Sequence, residues 1–311
     1  MQMPAMADEG FGKWLVDLRT EARGIGISDA TLDAALDDIT LNERVIELDR
    51  SQPEFNLTFD EYLAMFVTEW RQQTGARMLA EHADILDKVS EKYGVQKRFL
   101  ITFWGMETSF GRYLGSFNVP RSLVTLAYDG RRSAYFRKEL LNALRIIDEG
   151  HITAAEMNGS WAGAMGQSQF MPSSFVNYAV DWNGDGRRDI WGTKADVFAS
   201  AANYLKQAGW RDDITWGRKV RIPGDLVVGG KGASKLSEAK AWMTLPDWQA
   251  AGVRNADGSA LPTRALRARL VMPDGVGGPA YLVYENYESI LRWNRSNYYA
   301  LAIGHLSDSL R

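Results

Sequence analysis

The sequence predicts a mainly α fold of the α+β class, a helical body interrupted by one small β-rich insertion. Three observations carry this. Apolar residues recur at helical spacing through most of the chain before Trp210. From Thr215 to Tyr284 the pattern changes to short β-rich pieces, WGRKVRIP, ARLVMP and AYLVYENY, set between Gly, Pro, Asp and Ser turns. Helical pattern then returns at Ile290 and runs to the C-terminus.

The elements follow in order. Phe11, Leu15, Leu18 and Ala22 line one helical face, which Gly24-Ile25-Gly26 terminates. Ser28 or Asp29 caps a second helix carrying Leu32, Ala35 and Leu36. Ser51 to Phe55 is expected to be an extended connector, because Pro53 disfavours helix in the residue before it. Thr58 to Tyr93 reads as a long helical run broken near Gly75. Val95 to Trp104 is apolar almost all round and reads as a buried helix. Leu123 to Ile147 supplies two helices with a break at Asp129-Gly130.

Composition narrows the function. The 311 residues include 36 basic and 39 acidic side chains, a net charge of −3 with no long run of one sign. A nucleic-acid surface needs a basic face that displaces counterions, and none is evident. There are no cysteines, which excludes disulfides, thiolate metal sites, cysteine nucleophiles and a Cys-linked lipid anchor. His82, His151 and His305 are too scattered in sequence to suggest a metal cluster. No apolar run reaches membrane-spanning length, while Ala5-Met6-Ala7 has the small-x-small form of an export cleavage site. A ragged terminus explains that tripeptide equally well.

Four segments carry candidate chemistry. Glu107 sits in FLITFWGMETSFGR, where an ionised carboxylate is costly. Its pKa should rise, as a general acid requires, or an arginine such as Arg112 should neutralise it. Gly159 to Ser174, GSWAGAMGQSQFMPSS, combines small residues that admit a bulky ligand with uncharged hydrogen-bonding groups that suit sugar hydroxyls. A tightly packed loop is the alternative. Asp181, Asn183, Asp185, Arg187 (through its carbonyl) and Asp189, with Gly186 at the sixth position, match the first nine positions of an EF-hand loop. The twelfth position is Gly192 rather than a bidentate glutamate, and Asp196 could supply the missing carboxylate. That pattern points to calcium in a structural role, against a metal-free Asx-rich turn. Arg292 to Tyr299 is polar and aromatic, fitting a carbohydrate subsite or a simple helix cap.

These segments together resemble the membrane-bound lytic transglycosylase B family, family 103 of the glycoside hydrolases. VIELDRSQPEF, FDEYL, GMETSFGR, GSWAGAMGQSQFMPSSF, the Asp/Gly loop, ANYLKQAGW and ILRWNRSNYYALAI appear in family order from about Phe11 to Leu306. The resemblance implies a lysozyme-like helical core, a helical lobe and a small β lobe. On this sequence these are an N-terminal helical lobe at 8–92 (shared with about 121–150), a catalytic core at 93–211, a β-rich lobe at 212–284 and a returning helix at 285–311. It also implies Glu107 as catalytic acid and base, with Tyr62, Arg131, Arg132, Ser160, Gln169, Asn294 and Tyr299 on family cleft positions. Asp181, Asn183, Asp185, Arg187 and Asp196 fall on the family's calcium loop.

The implied substrate is the glycan strand of peptidoglycan, cut between N-acetylmuramic acid and N-acetylglucosamine to leave 1,6-anhydromuramic ends. Ordinary glycosidases need two carboxylates flanking the bond. Neither segment around the expected site offers a second one, and the family resemblance implies that none is needed. A hydrolytic muramidase would use the same Glu107 with a positioned water. A non-catalytic peptidoglycan-binding protein would tolerate loss of Glu107. Without cysteine the chain resembles a soluble periplasmic member, with other cell-wall enzymes as further partners.

Overall fold

A computed structural model of the chain describes residues 5–51, 57–224 and 242–310, with side chains from residue 9 onward. Of the expected connector, Gln52 to Phe55 lie outside the described residues. In chain order the helices begin with α1 (Ala5–Gly24), α2 (Asp29–Leu36), α3 (Glu43–Arg50), α4 (Phe59–Phe66), α5 (Glu69–Glu81), α6 (Ala83–Tyr93) and α7 (Lys97–Thr108). A short strand β1 (Phe117–Asn118) leads into α8 (Val119–Asp129) and α9 (Ser133–Asp148). Strand β2 (Asn158–Gly159), α10 (Pro172–Tyr178) and α11 (Lys194–Gln207) follow. The remainder comprises β3 (Gly217–Arg221), β4 (Met243–Thr244), α12 (Leu245–Ala250), β5 (Arg254–Asn255), β6 (Arg267–Val271), β7 (Ala280–Val283), α13 (Glu285–Trp293) and α14 (Asn297–Asp308).

Contacts divide the chain into two units, each woven from two stretches: residues 1–55 with 107–204, and residues 56–106 with 205–311. In the first unit, Leu18, Ala22, Leu32 and Leu36 are buried, as their spacing predicts, and Leu123, Leu126, Leu140 and Leu144 extend the same core. The ends of these helices are locally encoded. The Ser28 hydroxyl accepts from the Thr31 N–H and caps α2. Gly130 (φ 91°) takes the left-handed conformation that ends α8, so the expected break at Asp129-Gly130 is real.

The second unit corrects three readings. The run from Thr58 to Tyr93 is three helices, and its breaks lie at Val67-Thr68 and His82 rather than near Gly75. Thr58 and Thr68 each cap the helix that follows. Gly75 lies inside α5, where a Cβ would come within 3.0 Å of Leu310, so the glycine permits close packing. The β-rich stretch forms a five-stranded sheet of order β4-β6-β7-β3-β5. Its antiparallel pairs place Val220 opposite Ala280 and Leu270 opposite Leu282. Helix α12 within it was not read from the pattern; it starts at a capping box of Thr244 and Asp247. The buried Trp248 of α12 donates to the Ala268 carbonyl at 3.0 Å and joins the sheet's core.

Helix also returns earlier than Ile290, at Glu285, and breaks at Asn294 to Ser296 before α14. The buried Gly304 of α14 faces Trp216, whose ring carbon would lie 2.3 Å from an added Cβ.

Candidate active site

Helix α7 buries Phe99, Leu100, Ile101, Phe103 and Trp104 and carries the half-buried Glu107 in its last turn. The helix stops there because Ser109, Phe110 and Gly111 are left-handed (φ 50°, 62° and 80°). Two of these are not glycine, so the turn holds strain of roughly 1–3 kcal/mol per residue that its surroundings must impose. The buried Thr108 does part of that work: its hydroxyl donates to the Gln167 carbonyl at 3.1 Å and accepts from the Gly111 N–H. The turn bearing Glu107 is thereby fastened to the glycine-rich segment.

That segment is a folded-back ribbon. Strand β2 pairs with β1, and Met165 bridges both Gly159 and Phe170. Ser160 accepts from the Ala164 N–H at 3.0 Å, closing a tight turn. Gln169, itself left-handed (φ 47°), donates to the carbonyls of Leu114 at 3.1 Å and Gly166 at 3.0 Å. Gln167 turns the other way and donates to the Trp191 carbonyl. Glu107, Ser160 and Gln169 therefore sit on hydrogen-bonded neighbouring turns of the first unit.

The small residues here are geometrically required. A Cβ on Gly115 (φ 96°) would fall 2.0 Å from the Gly159 carbonyl oxygen, a backbone atom that cannot swing aside. Gly115→Ala should therefore cost about 3 kcal/mol or more, from overpacking and the left-handed backbone together. Urea denaturation measures this, and a loss under about 0.5 kcal/mol would show that the ribbon tolerates separation from the turn.

Arg131 and Arg132, in the turn between α8 and α9, are gathered onto Asp49 of α3. In the second unit, the Tyr62 ring of α4 packs tilted against Phe66 (4.5 Å between centroids) and meets Tyr298 edge-on at 5.6 Å. Asn294 is exposed at the end of α13 and accepts from the Ser296 N–H at 3.1 Å. Tyr299 is buried at the start of α14, with its ring 6.4 Å from that of Phe103.

Two supporting residues in this unit carry no sequence signature. Arg71 donates to the carbonyls of Met65, Phe66 and Gly105, tying the end of α4 to α7, and its burial pulls its pKa down from the usual arginine value. Asp274 accepts from the Phe59 N–H at the start of α4 and from the Tyr298 hydroxyl. That last bond holds the Tyr298 phenol up at about 12.

The acidic loop is closed by its own backbone. Asp181 accepts from the N–H groups of Gly184, Asp185 and Gly186, and Asp185 accepts from the Arg187 N–H and the Asn183 amide. The Arg187 guanidinium donates to the His151 carbonyl. Asp189 caps the turn into α11; burial works against its charge, but the N–H groups of Gly192, Trp191 and Thr193 and the Thr193 hydroxyl hold its pKa low. Asp196 is fully buried and accepts from the N–H groups of Trp182 and Asp189. Burial, then the charges of Asp181 and Asp185, push its pKa up. Among the described residues no group of three or more Asp, Glu or His side chains is placed to hold a metal ion, so this arrangement is not a ready-made cage.

The buried carboxylates of Asp49, Glu139 and Asp196 are all engaged, Glu139 by the N–H and hydroxyl of Ser173. The ribbon beside Glu107 is neutral and rich in hydrogen-bonding groups, which suits an uncharged, hydroxylated ligand.

Comparison with known proteins gives the class. The family model described as the transglycosylase SLT domain matches residues 10–308. Membrane-bound lytic murein transglycosylase B of Escherichia coli (strain K12) is 30% identical over 253 residues, which cover 80% of this chain and 66% of that protein. SltB3 of Pseudomonas aeruginosa, solved in complex with NAG-anhNAM-pentapeptide, is 42% identical with a TM-score of 0.91, covering 96% of this chain and 79% of that one. Slt35 of Escherichia coli, solved in complex with calcium, is 27% identical with a TM-score of 0.80, covering 96% and 92%. The chain belongs to the transglycosylase SLT domain family and is by class a peptidoglycan lytic transglycosylase. Its fold is the lysozyme-like helical core with a helical lobe and a small β-rich insertion.

Proposed function

We propose that the chain cuts the β-1,4 bond between N-acetylmuramic acid and N-acetylglucosamine, with Glu107 acting alone as acid and then base. The carrying observation is one half-buried carboxyl in the last turn of α7, whose neighbour Thr108 donates to the Gln167 carbonyl of a neutral Gly/Ser/Gln ribbon. In this reading Glu107 enters the reaction as the general acid and leaves its first step as the base. Glu107 gives its proton to the glycosidic oxygen, and the C1–O bond breaks with its electron pair on the departing glucosamine O4. The acetamido oxygen of the muramic residue then bonds to C1. Glu107, now a carboxylate, takes the proton of the C6 hydroxyl; the C6 oxygen bonds to C1 and displaces the acetamide.

Intramolecular attack gains from proximity and favours a site that excludes water. Ser160, Gln169, Asn294, Tyr62 and Tyr299 orient the sugars in this reading, and Arg131 and Arg132 meet an anionic part of the strand. The anhydro-muramic ligand of SltB3 supports the ring-closing outcome. The segments 8–92, 93–211, 212–284 and 285–311 serve as helical lobe, catalytic core, β lobe and returning helix. The reading is tested on purified sacculi, by whether soluble fragments appear and whether their muramic ends are anhydro or reducing.

The same reading places the enzyme in the periplasm, where its substrate lies, alongside other cell-wall enzymes; no helix among the described residues is long and apolar enough to cross a membrane. The acidic loop takes up calcium in a structural role. Support comes from the calcium complex of Slt35 and from the placing of Asp181, Asn183 and Asp185 on one tight loop whose neighbours Trp182 and Asp189 are held by the buried Asp196. Asp181 and Asp185 must exchange backbone N–H groups for the ion, and Gly192 offers no bidentate ligand, so affinity is modest. Calcium at about a hundredfold over its Kd should stabilise the protein by roughly 2.7 kcal/mol, seen as a higher Tm that a chelator reverses. Asp181→Ala or Asp185→Ala should abolish the difference. Identical melting of the wild type with calcium and with chelator would leave the loop a metal-free turn.

A further inference from the structure

The geometry points to Gln167 as a positioning residue for Glu107, one that couples the acidic loop and the start of α11 to the turn bearing the reactive carboxyl. Gln167 has this role only if Glu107 cuts glycan, as proposed above, and every contact involved lies within the first unit.

Gln167 is only 3% exposed, and it is bonded through both its backbone and its side chain. Its backbone N–H donates to the Ile190 carbonyl at 2.8 Å, and its own carbonyl accepts from the Thr108 hydroxyl at 3.1 Å. Its side-chain amide donates to the Trp191 carbonyl and accepts from Lys194 Nζ at 2.9 Å. The far side of this junction is itself anchored. Asp189 accepts from the N–H groups of Trp191, Gly192 and Thr193, and the buried Asp196 accepts from the Asp189 N–H at 2.8 Å. Gly166 (φ 67°) lets the ribbon press onto the loop: an added Cβ would lie 2.6 Å from an Ile190 side-chain carbon and 2.9 Å from the Ile190 carbonyl oxygen. A line of hydrogen bonds therefore runs from Asp196 through Asp189, Trp191 and Gln167 to Thr108, which follows Glu107 in the chain.

A turn with Ser109 and Phe110 in the left-handed region does not hold itself. Thr108 Oγ1 spans it by accepting from the Gly111 N–H, so its grip is only as firm as the carbonyl to which it donates. That carbonyl belongs to Gln167, and the glutamine side chain pins it to the loop. Stability alone gives little reason for an amide here. Its buried hydrogen bonds replace equivalent ones to water, and an apolar side chain of the same shape could fill the space at small net cost. What the amide adds is a fixed direction. Misplacing a reacting group by about 1 Å can cost on the order of a hundredfold in rate, so a support behind Glu107 acts on turnover rather than on binding.

The test combines kinetics on soluble glycan strands with amide hydrogen exchange. Gln167→Met keeps the length of the side chain and loses its hydrogen bonds. It should lower kcat about tenfold with KM within about twofold of wild type, and speed exchange of the Gly111 N–H about tenfold. Added to Thr108→Val it should lower kcat no further, since residues acting through one another are not additive. A normal kcat in folded Gln167→Met overturns the proposal, and so does a raised KM at unchanged kcat, which would make Gln167 a substrate contact. A lower Tm with kcat per folded molecule and Gly111 exchange both unchanged also overturns it, leaving a purely structural role. Should Gln167→Met fail to fold, Lys194→Met decides from the other side of the junction: kcat should fall about threefold at unchanged KM, and Lys194→Arg, which keeps a donor, should restore it. A wild-type kcat for Lys194→Met overturns the positioning role. Wild-type enzyme that leaves glycan strands intact overturns the glycan-cleaving reading itself, a failure distinct from unchanged Gly111 exchange, which overturns only the hold on the turn.

Discussion

Glu107→Gln is expected to leave the fold intact and to lower the rate of glycan cleavage at least about a hundredfold. Glutamine keeps the size and most of the hydrogen-bonding capacity of the side chain, so the turn at Ser109 to Gly111, held through Thr108, should survive. In the proposed mechanism, what is lost is the proton that leaves with the glucosamine oxygen and the base that later takes the C6 proton, so the variant loses both steps at once. The buried carboxylates of Asp49, Glu139 and Asp196 are all held by other groups and are not available as substitutes. The measurement is clearing of a cell-wall suspension, alongside a thermal melt. Near-normal clearing by a variant that melts like wild type would remove Glu107 from the mechanism.

How much of this was legible in the sequence depended on how local each cause was. Ser28 and Gly130 announced helix ends because a cap and a left-handed residue act within a turn of their own position. The three β-rich pieces became β3, β6 and β7 because alternation and turn residues are short-range signals. Gly75 misled for the opposite reason: its small size serves Leu310, which no local pattern connects to it. Helix α12 was hidden in a stretch read for strands, although Thr244 and Asp247 form a capping box visible in the sequence.

The candidate site shows the same division. Glu107, Ser160 and Gln169 stood out as residue types in an unusual setting, but the hydrogen bonds fastening their turns together required the folded chain. Asp49, Arg71 and Asp274 were missed because each works on a partner far along the chain and looks ordinary in its own segment. The acidic loop was recognised by spacing, which says which side chains share a loop but not that backbone N–H groups occupy them.

The chemical form of the cut end tests the central claim most directly. If the C6 hydroxyl of the muramic residue is the nucleophile, each cut leaves a 1,6-anhydromuramic terminus with no reducing end. If a water attacks instead, each fragment is heavier by one water and its muramic end is reducible by borohydride. The neutral groups of the ribbon, Ser160 and Gln169 among them, can hold an acetamide but are poor bases for activating water. Purified sacculi are digested, the products divided, one half reduced, and the masses compared. The account predicts anhydro fragments whose masses do not change on reduction. Fragments that mainly gain two hydrogens on reduction would contradict it and make the enzyme a hydrolytic muramidase.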